Sequence, residues 1–445
     1  MNDLVRACLF PSFPGIEPPG WIRRFLAGGG GGLVLFAYNV EGREQLAQLS
    51  GELRAERPDI LLAIDEEGGD VTRLEAVEGS SYPGNAALGA VGDVRLTEEV
   101  AAAIGAELAA AGVDWDLAPV ADVNVPANPV IGVRAFGDDA ALVAEQVAAF
   151  VRGLQSAGVA ACAKHFPGHG STVQDSHLEL PTVTGDLAAG LDPFRAAIAA
   201  GVKTIMTAHV RVPAYGDAPA TVNAKLVQGL LRDELGFDGV VFADALEMKG
   251  LSASVGVEEG AVLALAAGVD ALCIGHDLGE DTVEAVEAAI VAAVRGGRLA
   301  EERLAEAAAR VRAVAAWTGG GRAAPSAGLG LDAARRALVV EGDVSVRGGG
   351  VVELAPVANI AAGEHLHGFD GALVLHEGDT VPEAEVYVVR DAHRHPWMRE
   401  AADRPGAVVV EVGLPVWRPG RSRGYLATRG RSRVSLDAAR ERLGL

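Results

Sequence analysis

An alternation of two kinds of segment limits the fold more than any other feature of this chain. Up to about residue 316, short apolar runs rich in Val, Ile and Leu take turns with Ala-rich segments of helical period. The strand candidates are Val5–Phe10, Leu33–Tyr38, Ile60–Asp65, Val113–Val123, Val159–His165, Thr204–Val210, Val240–Asp244 and Ala271–Ile274. Helices such as Thr97–Ala111, Asp139–Ser156, Asn223–Leu235 and Val257–Ala267 fall between most of them. Strands spaced this way pair in parallel, because each parallel crossover needs an element to carry the chain back. Eight of them in one stretch point to a closed (β/α)8 TIM-type barrel more than to an open sheet. The glycines Gly28–Gly32 precede a strand instead of following the first one, so a dinucleotide-binding turn is not supported.

Helices at Asp281–Arg295 and Ala300–Trp317 complete a barrel unit over residues 1–317. The Gly- and Pro-bearing stretch 318–330 reads as a linker, because neither residue extends a helix. Residues 331–445 then form a second, smaller α/β domain at the C-terminus, with no role assigned by the sequence. Its apolar runs are Ala372–Leu375, Val386–Val389 and Ala407–Val412, and its last helix is Asp437–Leu443.

Charge excludes one class of function. Lys and Arg number 38 against 60 Asp and Glu, a formal net charge of −22. A nucleic-acid surface needs a basic patch to neutralise phosphates, so no nucleic-acid partner is expected; only Arg418 to Arg433 runs the other way. No run reaches the roughly 18 apolar residues of a membrane span, so no membrane partner is expected. The opening residues Met1 to Gly20 lack a basic segment followed by an apolar core, and Pro11, Pro14, Pro18 and Pro19 interrupt them. Cys8, Cys162 and Cys273 are odd in number and sit in apolar runs, as buried thiols of a reducing compartment do. The expected location is cytoplasmic. The oligomeric state stays open.

Polar residues recur where the strands end. Ile60–Ile64 runs into Asp65-Glu66-Glu67-Gly68-Gly69, with Arg73 shortly after. Val159–Ala163 runs into Lys164-His165, Thr204–Ala208 into His209, and Gly239–Ala243 into Asp244. In a barrel such ends converge on one face and share a pocket. Taken singly, each has a plain structural reading. Asp65 closes a strand before a Gly-Gly turn, Lys164-His165 is a solvated strand end, Arg134 is a surface arginine, and His169 between two glycines serves loop geometry. Glu66, Glu67 and Glu247 read as solvated charges or as charges supporting the site from behind.

Together they carry a family resemblance. Lys164-His165-Phe166-Pro167-Gly168-His169-Gly170 followed by Asp175-Ser176-His177 resembles the signature of family 3 glycoside hydrolases, in their bacterial β-N-acetylglucosaminidase (β-hexosaminidase) branch. Asp65-Glu66-Glu67-Gly68-Gly69-Asp70-Val71-Thr72-Arg73, Arg134-Ala135-Phe136-Gly137 and Phe242-Ala243-Asp244-Ala245-Leu246-Glu247-Met248 are similar to further motifs of that family, in its order. The resemblance implies that Asp244 is a nucleophile forming a covalent glycosyl-enzyme. It implies that His177 is the general acid/base supported by Asp175, and that Asp65, Arg73, Arg134, Lys164 and His165 bind N-acetylglucosamine (GlcNAc). The implied substrate is a small carbohydrate or muropeptide, a peptidoglycan fragment from which terminal GlcNAc is hydrolysed, with no cofactor and no metal.

The residue types suit that chemistry. A retaining glycosidase needs a nucleophile on one side of the anomeric carbon and a proton donor on the other. An imidazole with an ordinary pKa of about 6.5 donates and then accepts a proton near neutrality. Asp175, two residues away, orients that ring, and the loop bearing the pair is expected to move with bound sugar. Charged partners at Asp65, Arg73, Arg134 and Lys164 match sugar hydroxyls. Ser171 stands where the branch commonly has Asp, and Ala243 and Ala245 flank the nucleophile where polar residues are common. Within the same family, a β-glucosidase or β-xylosidase and a GlcNAc phosphorylase are alternatives; outside enzymes, the alternative is an inactive sugar-binding sensor.

Overall fold

The computed structural model describes residues 1–275, 278–321, 328–357 and 368–445. Eight parallel strands make the first sheet: β1 Leu9–Pro11, β2 Gly32–Leu35, β3 Leu61–Ile64, β4 Trp115–Asp116, β5 Ala160–Phe166, β6 Thr204–Thr207, β7 Val240–Ala243 and β8 Ala271–Ile274. β1 pairs with β8, pairing then runs in sequence order from β8 back to β2, and β2 lies against β1, so the sheet nearly closes into a barrel. The expected TIM-type fold is present. Every strand core is buried, with helices outside and aromatic side chains within. Phe10, Trp115 and Phe242 plug the interior, with ring centroids 4.7–5.7 Å apart. The Trp115 indole donates to the Thr204 hydroxyl at 2.8 Å, which satisfies its one polar atom. Because the interior is filled, chemistry is confined to the loops at the strand ends.

Several helices begin where an aspartate caps them. Asp93 accepts from the Arg95 and Leu96 amides ahead of helix Val94–Ala110. Asp139 and Asp186 do the same for Ala140–Ser156 and Leu187–Ala199. Such a cap satisfies amides that the first helical turn leaves open, and its loss costs about 1 kcal/mol.

Two strand expectations are corrected. Residues Asn2–Ala7 form a helix, and β1 starts only at Leu9, because a short apolar run does not by itself distinguish helix from strand. The expected strand Val113–Val123 shrinks to Trp115–Asp116, since Pro119 has no N–H for a ladder. The chain still follows β5 beyond that point, through Cys162 N–H to Ala118 O at 2.8 Å and Lys164 N–H to Pro119 O at 3.1 Å.

A second sheet has six strands: β9 Val339–Gly342, β10 Val351–Leu354, β11 Leu373–Leu375, β12 Val386–Val389, β13 Val408–Glu411 and β14 Gly424–Ala427. Their order is β11-β10-β12-β13-β14-β9, with only β9 antiparallel. The helix Arg433–Leu443 packs its Leu436, Ala439 and Leu443 into the core of this sheet. Of the expected linker 318–330, residues 322–327 lie outside the described residues, and a helix begins at Leu329.

Candidate active site

Asp65 follows β3, Lys164 and His165 lie near the end of β5, and Asp244 follows β7. Parallel strands carry all of them to one face of the barrel. At its floor is an ion cluster. Lys164 is only 2% exposed, and its Nζ lies 2.6 Å from Asp65 Oδ1 and 2.7 Å from Glu67 Oε1. Glu67, equally buried, also receives a fork from Arg134, Nε at 2.9 Å and Nη2 at 2.7 Å. Arg73 approaches Asp65 at 3.9 Å.

Burial alone would discharge these groups. For Glu67, burial pushes the carboxyl pKa up, but Arg134 and Lys164 outweigh it and hold it well below the usual range. Lys164 and Arg134 are raised above their ordinary values despite burial, because Asp65 and Glu67 favour the cation at Lys164, and Glu67 foremost at Arg134. An ammonium has three donors. Lys164 uses two of them on Asp65 and Glu67.

Beside the floor stands a line of imidazoles. His165 Nδ1 is 2.8 Å from Asp122 Oδ2, and the other Asp122 oxygen accepts the His169 amide at 2.5 Å. His169 is enclosed between Thr172 Oγ1 (2.8 Å) and Ser176 Oγ (2.9 Å), and burial pushes its pKa down to about 4. It is a neutral pin for the loop between β5 and the next helix. His209 bonds Thr221 Oγ1 at 2.8 Å and Ala245 O at 3.0 Å, and burial likewise lowers its pKa.

Asp244 sits against this line. Burial works to raise its pKa, but the charges of His165 and His209, the Ala245 amide (2.8 Å) and the charge of His177 bring it below the ordinary value, so it stays ionised. Asp175 and His177 form a pair on the β5 loop. One carboxylate oxygen, Asp175 Oδ1, lies 2.7 Å from His177 Nδ1 and accepts the His177 amide at 2.9 Å. Burial raises the Asp175 pKa, and the two bonds to His177 more than offset it. An ionised carboxylate only accepts, so Nδ1 carries the ring proton, and Nε2 is the free end. The Gly250 amide donates to Ser176 O at 3.0 Å, tying this loop to the short helix Lys249–Val255 that comes after Asp244.

The structure thus gathers Asp65, Arg73, Lys164 and Arg134 around one ion cluster and pairs Asp175 with His177. It also brings Asp244 within the influence of His165 and His177. Arg134 reaches the cluster through Glu67, not through a bond to Asp65. Three residues outside the expected set belong to the site: Glu67, Asp122 and His209. The sequence reading of Glu67 as a solvated or supporting charge is corrected in its first half, since it is buried at the centre of the cluster. The signal was its place one residue before a Gly-Gly turn, where the backbone reverses sharply. His209 was visible as a strand-ending polar residue, whereas Asp122, like Asp114 and Asp116 of the fourth strand candidate, read as a structural polar residue.

A nearly closed barrel with ionised carboxylates, a carboxylate-oriented imidazole and cations at one mouth is the equipment of an enzyme that cleaves glycosides. Comparison with known proteins makes the class specific. Residues 25–314 match the family model described as the glycosyl hydrolase family 3 N terminal domain, and the chain belongs to that family as a glycoside hydrolase. It is similar to a protein named beta-hexosaminidase from Bordetella avium (strain 197N), 37% identical over 298 residues, which cover 61% of this chain and 85% of that one. A beta-hexosaminidase from Thiobacillus denitrificans (strain ATCC 25259 / T1) is 40% identical over 55% of this chain and 72% of its own. Among solved structures, a family 3 beta-N-acetylglucosaminidase from Paenibacillus sp. str. FPU-7 superposes with a TM-score of 0.86 at 33% identity, covering 100% of this chain and 96% of that one. Both domains therefore have counterparts in that protein.

Proposed function

We propose that this protein is a retaining β-N-acetylglucosaminidase that hydrolyses terminal non-reducing GlcNAc from peptidoglycan fragments in the cytoplasm. The observation that carries the mechanism is the Asp175–His177 pair, 2.7 Å apart, on a loop tied to the short helix that comes after Asp244. The beta-hexosaminidase relatives and the GlcNAc-releasing structural neighbour support the substrate class.

In this reading the Lys164, Arg134, Asp65, Arg73 and His165 side chains grip sugar hydroxyls. Two of the three Lys164 donors are taken by carboxylates, so the third points the ammonium at one hydroxyl. Asp244 attacks the anomeric carbon while His177 Nε2–H protonates the departing glycosidic oxygen, so the C–O bond breaks as the aspartyl ester forms. His177, now neutral, takes a proton from water, which attacks the same carbon and releases Asp244. Asp175 accepts from His177 Nδ1–H and keeps the ring aimed while Nε2 gives up and takes back the proton. Asp65 and Glu67 keep Lys164 charged throughout.

The test is mass spectrometry after reaction with a slow fluorinated GlcNAc donor. The adduct is expected on the peptide containing Asp244; turnover with that peptide unmodified would overturn the nucleophile. Product analysis in phosphate buffer separates hydrolysis from phosphorolysis: free GlcNAc is expected, and GlcNAc-1-phosphate as the main product refutes hydrolysis.

A further inference from the structure

The second domain touches the barrel at several points, among them His393 Nε2 to Pro126 O at 2.8 Å, and one contact lies directly behind the ion cluster. The turn after β3 carries two carboxylates three residues apart. Glu67 faces the Lys164 and Arg134 cations of the sugar floor. Asp70, on the other side of the same turn, has a side chain 1% exposed and points into the second domain. Its Oδ1 accepts the Arg431 amide at 2.6 Å, and its Oδ2 lies 2.6 Å from Arg390 Nη2.

The turn between them is stiff. Gly68 and Gly69 both adopt positive φ, 73° and 64°, and the Glu67 amide closes the turn on Val71 O at 3.0 Å. The Gly69 amide donates to Tyr82 O at 3.0 Å, and a Cβ on Gly69 would lie 2.4 Å from the Gly84 Cα. No side chain fits at Gly69, so the turn closes by backbone contact with Gly84 and by these two amide bonds, and they are what links Asp70 to Glu67.

The second domain holds its end rigidly as well. Arg390 directly follows β12 and Arg431 lies beyond β14. The Arg431 guanidinium is forked onto Glu353 of β10, with Nη2 3.0 Å from Oε2 and Nη1 on Oε1. Glu411, the last residue of β13, accepts the Asp391 amide at 2.8 Å and the Ala392 amide at 3.1 Å, fixing the loop that carries Arg390. Arg433 Nη2 donates to Ser81 Oγ at 2.5 Å, gripping the segment next to Tyr82. Buried ion pairs are poor glue, because desolvating both charges offsets most of their attraction. What such a clamp contributes is position.

We propose that the second domain positions the sugar-binding floor. Through Arg390 and the Arg431 amide it holds Asp70, and through the Gly68-Gly69 turn it sets Glu67 and therefore Lys164 and Arg134. Arg390 and Asp70 are positioning residues that touch no substrate. The inference rests on the reading of this floor as the GlcNAc site.

The test uses the full chain and a chromogenic β-GlcNAc glycoside. Asp70→Asn and Arg390→Gln are each expected to raise KM, and the inhibition constant of free GlcNAc, by about tenfold with much less change in kcat. Arg390→Lys recovers most of the loss. The double variant Asp70→Asn/Arg390→Gln leaves no unpaired charge and remains informative where a single variant folds poorly. Lowered thermal stability with KM and GlcNAc inhibition unchanged would reduce the clamp to a structural contact and overturn the proposal. Wild-type protein supplies an independent readout. Coupling is reciprocal, so saturating GlcNAc must slow amide hydrogen exchange around residues 390 and 430–431, and unchanged exchange there overturns the proposal as well. Absence of turnover by wild type on any GlcNAc glycoside would instead refute the activity itself.

Discussion

Replacing Glu67 by Gln removes one negative charge from between two buried cations while leaving the side-chain volume almost unchanged. In the native site three donors aim at this carboxylate: Arg134 Nε, Arg134 Nη2 and Lys164 Nζ, at 2.7–2.9 Å. A glutamine offers one acceptor oxygen, and its amide nitrogen brings a fourth donor against the remaining ones. Asp65 stays with Lys164, whereas among the described residues Arg134 pairs with no other carboxylate, so the loss falls mainly on Arg134. Removing one partner of a buried pair costs roughly 3–5 kcal/mol. At about 2 °C per kcal/mol for a protein of this size, the Glu67→Gln melting temperature is expected to fall by about 6–10 °C. The same displacement reaches the sugar floor. If about 1.4 kcal/mol of it is felt there, GlcNAc binding weakens tenfold. Thermal unfolding and GlcNAc inhibition, measured on one preparation, check both consequences. A melting temperature within about 1 °C of wild type would refute the view that this cluster is held together by charge.

Two further outcomes follow from the site. His177→Ala is expected to slow glycosides with poor leaving groups by roughly 10²–10⁴-fold and activated aryl glycosides far less, since only the former need protonation. An equal loss across a series of leaving groups would remove His177 from the acid role. The third concerns Glu66, which accepts the Arg73 and Leu74 amides at 2.8 and 3.0 Å and whose pKa burial raises to about 7. Its folded pKa lies above the unfolded value, so the folded state holds more protons. Stability from this group therefore declines as pH rises from about 4.5 to 7, by at most about 1.4 kcal/mol per pH unit. Melting curves of wild type and Glu66→Gln across that window should converge at low pH and part at high pH, with the variant the flatter of the two. Parallel curves would show that Glu66 titrates alike in both states.

Much of this protein was readable in its residues. All eight barrel strands fall within or beside apolar runs of the sequence, six of them to within a few residues, and the helix Val257–Ala267 matches its expected bounds. Where the reading failed, a local pattern served two structures. Val5 and Ala7 are buried whether their segment is helix or strand, and burial is what an apolar run reports. The stretch beyond Asp116 looked like a strand because it is apolar, while Pro119, with no N–H to give, interrupts the regular ladder.

The sequence by itself determined which chemistry is available: Asp175 and His177 are two residues apart, and their pairing needs only a local turn. Which charges are solvated and which are buried was decided by the tertiary structure. Glu66, Glu67 and Asp70 occupy one five-residue segment and read alike, yet one is pushed to about 7 by burial, one is held ionised by two cations, and one is clamped by the other domain. The partners of Glu67 and Asp70 lie 67 to 361 residues away along the chain. A carboxylate's state is set by what surrounds it in space, and that surrounding exists only once the barrel has closed and the second domain has docked.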